Sequence, residues 1–243
     1  MDEIIRYFST GYAGIDYLLG GGFQPGTVNA IASRPGMGKS ALAQNIAMNM
    51  WTNGCRAMYL SLESTSEFLV ERFAKMAHSR YGETKELPFT DEAVGFYAAA
   101  PTVTNAGDIM GLIRKGCWDA EQDVIFIDYI QLMEETENLM GIKVLKNIAL
   151  DTALTFVLCS QVDRRIEERK DKRPRPYDMR CQSEYISYLD TALMLYRDRY
   201  YNPDGSETDS EISVWKNNGT QIQRAGTVQF KFYGGTYTFM EAN

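Results

Sequence analysis

No apolar run in this 243-residue chain approaches the ~20 residues that a membrane-spanning helix needs. The opening Met-Asp-Glu-Ile-Ile-Arg has neither the basic start nor the apolar stretch of a signal peptide. These absences predict a soluble, cytoplasmic protein with no membrane partner. Histidine is almost missing, with His78 alone, and Cys55, Cys117, Cys159 and Cys181 lie far apart without paired spacing, which excludes a disulfide framework and a structural zinc site. Positive charge is also short: 25 Lys and Arg stand against 32 Asp and Glu, a formal net charge of -7. That balance excludes a protein that coats nucleic acid over its whole surface but leaves room for a local basic groove. With 44% hydrophobic residues and this length, residues 1–243 suit one large α/β domain with a substantial core.

Against that background one segment carries specific chemistry. Ser33-Arg-Pro-Gly-Met-Gly-Lys-Ser40 follows an apolar, strand-like run from Thr27 to Ala32 and precedes a helix that starts at Ala41. A strand, a glycine-rich loop, Gly-Lys-Ser and a helix, in that order, make a phosphate-binding P-loop. Gly36 and Gly38 let backbone N–H groups close around phosphate oxygens, and the positive end of the helix favours the charge. Ser33, Arg34, Pro35, Gly36, Met37, Gly38, Lys39, Ser40 and Ala41 are therefore the expected nucleotide-binding residues. Lys39 would reach the β and γ phosphates, and the Ser40 hydroxyl would bind Mg2+. The full pattern has glycine at position 33, where this chain has a serine small enough to make the turn.

Further strand signals fall in step with the loop. Arg56 to Leu62 leads to Glu63 and then to a helix from Ser66 to Arg80, which Ser66 could cap. Asp123 to Asp128 and Leu154 to Ser160 are apolar runs, the second leading to Gln161, with helices expected at Asn105 to Ala120 and Ile142 to Asp151. Buried strands alternating with helices predict a mostly parallel central sheet flanked by helices, with ligands at the carboxyl ends of the strands. After Asp190 the character changes. Asp190 to Tyr196, Glu211 to Lys216, Thr227 to Phe232 and Tyr237 to Met240 read as C-terminal antiparallel hairpins, with turns at Asn202-Pro-Asp-Gly205 and Tyr233-Gly-Gly235.

Glu63, Asp128 and Gln161 would all stand beside the P-loop. Asp128 fits the acid that holds magnesium, Glu63 the carboxylate that polarises an attacking water, and Gln161 a sensor of the γ-phosphate. Each alone is equally a helix cap or a surface residue. Between Arg164 and Arg180 the charge balance is +4, which leaves -11 elsewhere. A solvated loop and a phosphate-contacting loop are both open readings of that segment.

These residues together resemble the DnaB-type replicative DNA helicases, specifically their RecA-like C-terminal ATPase domain, from Ser9 to about Phe239. Thr10-Gly11, Ile15-Asp16 and Gly20-Gly-Gly-Phe-Gln-Pro-Gly26 resemble its opening segment, and Arg34 to Ser40 its P-loop. Ser61-Leu-Glu63 resembles the motif of the catalytic glutamate, and Ile127 to Met133 that of the magnesium acid. Ser160-Gln-Val-Asp-Arg164, Lys172-Arg-Pro174, Asp178-Met-Arg180 and Tyr196-Arg-Asp198 continue the series. The resemblance implies a RecA-like P-loop fold, ATP and Mg2+ as ligands, and a hexameric ring that hydrolyses ATP between subunits while moving on single-stranded DNA. It implies DNA contacts in the basic segment, with Arg164, Arg165, Arg173 and Arg180 as candidates.

Departures from the family pattern are also specific. Where the family carries a lysine followed two residues later by a trans-acting arginine, this chain has Lys216-Asn-Asn-Gly219. Lys216 matches, and Arg224 further along is the candidate substitute. Glu134-Glu-Thr-Glu137 makes the expected first DNA loop acidic, and Ser183 and Ile186 replace a later Gly and Glu. Eight residues precede Ser9, so the family's primase-binding domain and linker helix are not part of this sequence, as expected of an excised domain or of a short relative; for the short chain a monomer is the alternative to the ring. Three functions follow: a ring-forming DNA motor, a nucleotide-switched assembly module with weak hydrolysis, and, less well matched, a small-molecule kinase. Glu63 and Gln161 argue against the kinase.

Overall fold

A computed structural model describes residues 7–82, 96–98, 111, 122–130, 135–180, 183–204, 209–219 and 221–242. Its α-helices are α1 (Ala13–Leu19), α2 (Lys39–Thr52), α3 (Ser66–Tyr81) and α4 (Glu135–Thr152). The strands are β1 (Val28–Ser33), β2 (Ala57–Ser61), β3 (Phe96–Ala98), β4 (Val124–Asp128), β5 (Thr155–Gln161), β6 (Thr191–Arg197), β7 (Asp209–Asn217), β8 (Ile222–Tyr233) and β9 (Thr238–Glu241). They form one nine-stranded sheet in the order β3-β2-β4-β5-β1-β6-β7-β8-β9. Pairing is parallel from β3 to β6 and antiparallel from β6 to β9.

The parallel half follows from its apolar runs. Every residue of β1, β2 and β4 is buried, so these strands need cover on both faces. Side chains alternate between the two layers. Ile31, Tyr59, Phe126 and Val157 pack towards α2 and α3, while Ala30, Leu60, Ile127 and Leu158 pack towards α4 through Ile142, Leu145 and Ala149. The α2 helix is buried along most of its length, from Ala41 to Met50, because the C-terminal hairpin covers the side that the sheet does not.

Strand boundaries fall within a few residues of those expected, β7 and β8 extending furthest, as pairing closes them. Three local differences have physical causes. Thr65, not Ser66, caps α3, its hydroxyl accepting from the Phe68 N–H at 3.4 Å. The α4 helix starts at Glu135 rather than Ile142, since Glu-Thr-Glu at its start is compatible with the positive end of a helix. The short elements α1 and β3 carry too little periodicity to be anticipated. The helix expected over Asn105 to Ala120 lies, apart from Gly111, outside the described residues, as do Gln131 to Glu134 and Gly205.

One arginine joins the sequence-distant parts on the α2 side. The guanidinium of Arg80, in the last turn of α3, donates to the Tyr12 hydroxyl (2.9 Å), Asn45 Oδ1 (2.8 Å), the Phe239 carbonyl (3.1 Å) and Asn49 Oδ1. Asn45 and Asn49 pass the link on to the carbonyls of Tyr237 (2.7 Å) and Thr10 (2.8 Å). Burial pushes the Tyr12 hydroxyl up to about 12 against the pull of Arg80. Replacing Arg80 with alanine takes the Arg80 donor from Asn49 Oδ1 and weakens the satisfaction of Asn45 and the Phe239 carbonyl, which keep the Phe239 N–H and the Tyr12 hydroxyl. It is expected to lower unfolding free energy by about 1–3 kcal/mol. Urea titration checks it, and a change below about 0.5 kcal/mol would refute the clamp.

Candidate functional site

The carboxyl ends of β1, β2, β4 and β5 lie along one edge of the sheet, where residues at or just after the ends of β1, β2 and β5 line a cavity of about 320 Å³. Its walls include Arg34, Pro35, Gly36, Gly38, Lys39, Ser40, Ala41, Glu63 and Gln161. Gly36 and Gly38 adopt φ of +80° and +99°, values that side-chain-bearing residues rarely take. A Cβ at Gly38 would also come within 3.3 Å of Phe239 and 3.5 Å of Phe232. The loop thus presents bare backbone to the cavity and is braced by aromatic rings behind it.

Three of the expected loop residues do other work. Met37 is fully buried in the core, and Ser33, also buried, donates its hydroxyl to the Arg34 carbonyl at 2.9 Å. The Arg34 guanidinium turns to Glu167 (2.8 Å) and the Val162 carbonyl (2.8 Å), so it fastens the loop to the segment after β5.

At the centre lies a buried ion pair. Lys39 Nζ stands 2.6 Å from Asp128 Oδ1 and 3.5 Å from Ser40 Oγ, and Tyr59 donates its hydroxyl to Asp128 Oδ2 at 2.8 Å. Burial pushes the Asp128 carboxyl up, but the Lys39 ammonium with the Ser40 and Tyr59 hydrogen bonds outweighs it and holds the group below the usual carboxylate range. Burial works against the Lys39 ammonium in turn. The surrounding negative charge, Asp128 foremost because the buried Cys159 thiol is pushed up and stays neutral, keeps it above its ordinary value.

Glu63 is exposed just beyond β2, in a bend set by the Leu62 N–H bond to the Asp128 carbonyl (2.7 Å) and the Ser64 N–H bond to Ser61 Oγ (2.9 Å). Gln161 ends β5 opposite Ser33 of β1. Its carbonyl accepts from the Arg180 N–H at 2.7 Å, and the neighbouring Val162 N–H donates to the Ser33 carbonyl at 2.9 Å. The basic segment is thereby stapled to the end of the phosphate loop.

Within that segment the arginines divide. Arg164 is exposed and forms no ion pair among the described residues; Arg165 is paired at the surface with Asp163 (3.1 Å), and Arg180 is exposed. Arg169 is held by Asp178 at 2.9 and 2.7 Å. Arg173, a candidate DNA contact through the resemblance, donates to Glu211 at 2.5 Å and lies 4.9 Å from the centre of the Tyr196 ring.

Lys216 and Arg224 do not join the cavity. Lys216 pairs with Thr191, which pairs with Asn29 near the start of β1, so both lie at the end of the sheet opposite the P-loop. Lys216 donates to the Leu19 carbonyl at 3.4 Å, and the exposed Arg224 to the Thr227 hydroxyl. Neither residue is therefore in reach of the cavity of its own chain.

Sequence reading missed part of the wall. Arg72 of α3 lines the cavity with Nε buried and unbonded, its guanidinium 4.5 Å from the Tyr237 ring centre, and Phe232, Gly234 and Tyr237 close the site from the β8–β9 turn. Arg72 lies nine residues after Glu63 on a helix face that alternates charged and apolar residues, and no local signal separates it from a solvated arginine. A second cavity of about 700 Å³ adjoins this one, sharing Phe232 and Gly234 and bounded also by Arg197, Arg199, Tyr233 and Thr236.

Residues 8–241 match the family described as DnaB-like helicase C terminal domain. The chain is 28% identical over 259 residues to a probable plasmid replicative DNA helicase of Chlamydia psittaci, which covers 96% of this chain and 55% of that protein. It is likewise 28% identical over 256 residues to the replicative DNA helicase DnaB of Geobacillus stearothermophilus, covering 95% and 56%. The chain therefore spans about half the length of the curated relatives it matches. Among solved structures it is similar to a DnaB-like replicative helicase described with its interactions with primase, with a TM-score of 0.82 at 23% identity over 100% of this chain and 65% of that one. It is also similar to the RadB recombinase, with a TM-score of 0.69 at 18% identity, covering 97% and 100%. At these identities the structures establish the fold, which is RecA-like.

The buried pair makes a stability prediction in the absence of nucleotide. Lys39→Met strands the Asp128 charge and is expected to cost about 3 kcal/mol, while adding Asp128→Asn restores most of the loss. Because the Asp128 value is lowered and the Lys39 value raised, the pair's contribution is complete between about pH 4 and pH 10. It is lost as pH falls through the depressed carboxyl value or rises through the elevated amine value. Additive single-variant effects in urea titrations would contradict the coupling.

Proposed function

The chain belongs to the DnaB-like helicase C-terminal domain family, and from that premise we propose that it is the ATPase motor of a replicative DNA helicase, working in the cytoplasm. It would hydrolyse ATP between neighbouring copies of a hexameric ring and move along single-stranded DNA. The observation that carries this reading is the meeting of Lys39, Ser40, Glu63 and Gln161 around one cavity, with Asp128 buried beneath it in contact with Lys39.

The residues present fit a magnesium nucleotide. Positive φ at Gly36 and Gly38 gives the loop a path that side-chain-bearing residues rarely adopt, the loop offers N–H donors, and the start of α2 favours anionic charge. Among the described residues no group of three or more His, Cys, Asp or Glu side chains could hold a metal alone. That is expected of magnesium, which takes one or two protein oxygens together with phosphate oxygens; Ser40 and Asp128 would be those protein ligands here. The bound ion would neutralise charge on the β and γ phosphates.

In the reaction Lys39 exchanges the Asp128 carboxylate for phosphate oxygens, and Glu63 accepts the proton of the attacking water. Gln161 sits where loss of the γ-phosphate is felt and is bonded through its backbone to Arg180, at the edge of the basic segment. Arg72 adds a cation to the wall. The larger cavity, with aromatic rings and two arginines, suits a stacked nucleoside. Lys216 and Arg224 complete the site from the far end of the neighbouring copy, and Arg164 and Arg180 face DNA phosphates.

A second reading, a nucleotide switch with slow turnover, draws on the asparagines that follow Lys216 where an arginine would serve. Steady-state ATPase activity with and without single-stranded DNA separates the two. The motor predicts DNA-stimulated turnover by an oligomer, abolished in Lys39→Ala and Glu63→Gln and lowered at least tenfold in Arg224→Ala, since a trans-acting arginine contributes ~10³ or more. Unstimulated turnover by a monomer would overturn the motor reading, and unchanged turnover in Arg224→Ala would remove that residue's role.

A further inference from the structure

Asp128 is held from two sides, and one of them lies outside the phosphate loop. Lys39 of that loop takes Oδ1, whereas Oδ2 accepts the hydroxyl of Tyr59 at 2.8 Å, from the middle of β2. Tyr59 is fully buried, its ring stacked on Phe126 (6.0 Å, 21°) and edge-on to Phe73 (6.0 Å, 84°). In the β2–β4 register Tyr59 stands beside Phe126, and Asp128, two residues on, faces the same layer, so the hydroxyl meets the carboxylate on the diagonal.

Packing alone does not ask for this oxygen. A phenylalanine ring fills the same layer, and a buried hydroxyl is unfavourable unless it is bonded. Gln44, one turn after Ser40 on α2, is another fully buried polar side chain: it lies close enough to the Tyr59 hydroxyl to favour its charged form, although neither carboxamide atom makes a hydrogen bond of good geometry. Polar groups of β2 and α2 thus meet at the Tyr59 hydroxyl, which bonds the carboxylate.

We propose that Tyr59 is a positioning residue for the magnesium nucleotide, keeping Asp128 in place when Lys39 moves from the carboxylate to the phosphates. This rests on the nucleotide-hydrolase reading above. Lys39 cannot neutralise Asp128 and a triphosphate at the same short distance. On its departure the carboxylate loses its cation and the constraint on Oδ1. The bond from Tyr59, a charge-assisted O–H donor to a carboxylate, stays. It holds Oδ2 to the rear, leaving Oδ1 turned towards Ser40, where the metal is expected.

The test is a magnesium titration of AMP-PNP binding, followed by calorimetry, in the wild-type chain and in Tyr59→Phe. The half-saturating magnesium concentration is expected to rise roughly five- to tenfold, equivalent to about 1.0–1.4 kcal/mol, while affinity measured in EDTA and the melting temperature change little. The double variant Tyr59→Phe with Gln44→Leu removes both polar groups and keeps an apolar layer, so it serves as the control for a buried carboxamide left without its neighbour. The same rise is expected there. Unchanged magnesium dependence in variants that fold, or a loss of stability without that change, overturns the role of Tyr59 and leaves the nucleotide reading standing. Absence of AMP-PNP binding by the wild-type chain would overturn both.

Discussion

A charge buried at the edge of a parallel sheet has to be matched where it stands, and Asp128 is matched by Lys39 at 2.6 Å. This contact joins the last residue of β4 to the first residue of α2, and so fixes the phosphate loop against the sheet. Around it the other parts find their places. Glu63 is turned by a backbone bond to Asp128, Gln161 ends the strand beside Ser33, and the aromatic residues of β8 and β9 back Gly38. A buried pair of this kind is not a large net source of stability. Its value is that a triphosphate entering the loop offers Lys39 an alternative partner, so binding and rearrangement of the centre are the same event.

The sheet also sets what one chain cannot do by itself. Its parallel half gathers the cation, hydroxyl and carboxylates at one edge, while the antiparallel hairpin carries Lys216 and Arg224 to the opposite end. A site that needs both ends needs two copies. The Gln161–Arg180 backbone bond links the phosphate edge to the basic segment.

Much of this was legible in the amino-acid order, for identifiable reasons. The loop from Ser33 to Ser40 reads directly because positive φ at Gly36 and Gly38 and a lysine at the helix start are local requirements. The strands read because burial on both faces demands continuous apolar runs such as Val-Ile-Phe-Ile before Asp128. Contacts between distant segments left no such trace. Arg72, Phe232 and Tyr237 enter the cavity wall through tertiary packing, and the ties of Arg34 to Glu167 and Arg173 to Glu211 cannot be told from free surface charge by counting residues. Tyr59 was read as one more apolar strand residue, since the partner of its hydroxyl lies 69 positions away.

The central claim is that the cavity bounded by the phosphate loop, Glu63, Gln161 and the C-terminal turn binds one magnesium nucleotide per chain. Isothermal titration with ATPγS in the presence of magnesium tests it most directly. The account predicts saturable binding with a stoichiometry of one nucleotide per chain, weakened when magnesium is withdrawn. No saturable binding, or binding that ignores magnesium, would contradict it.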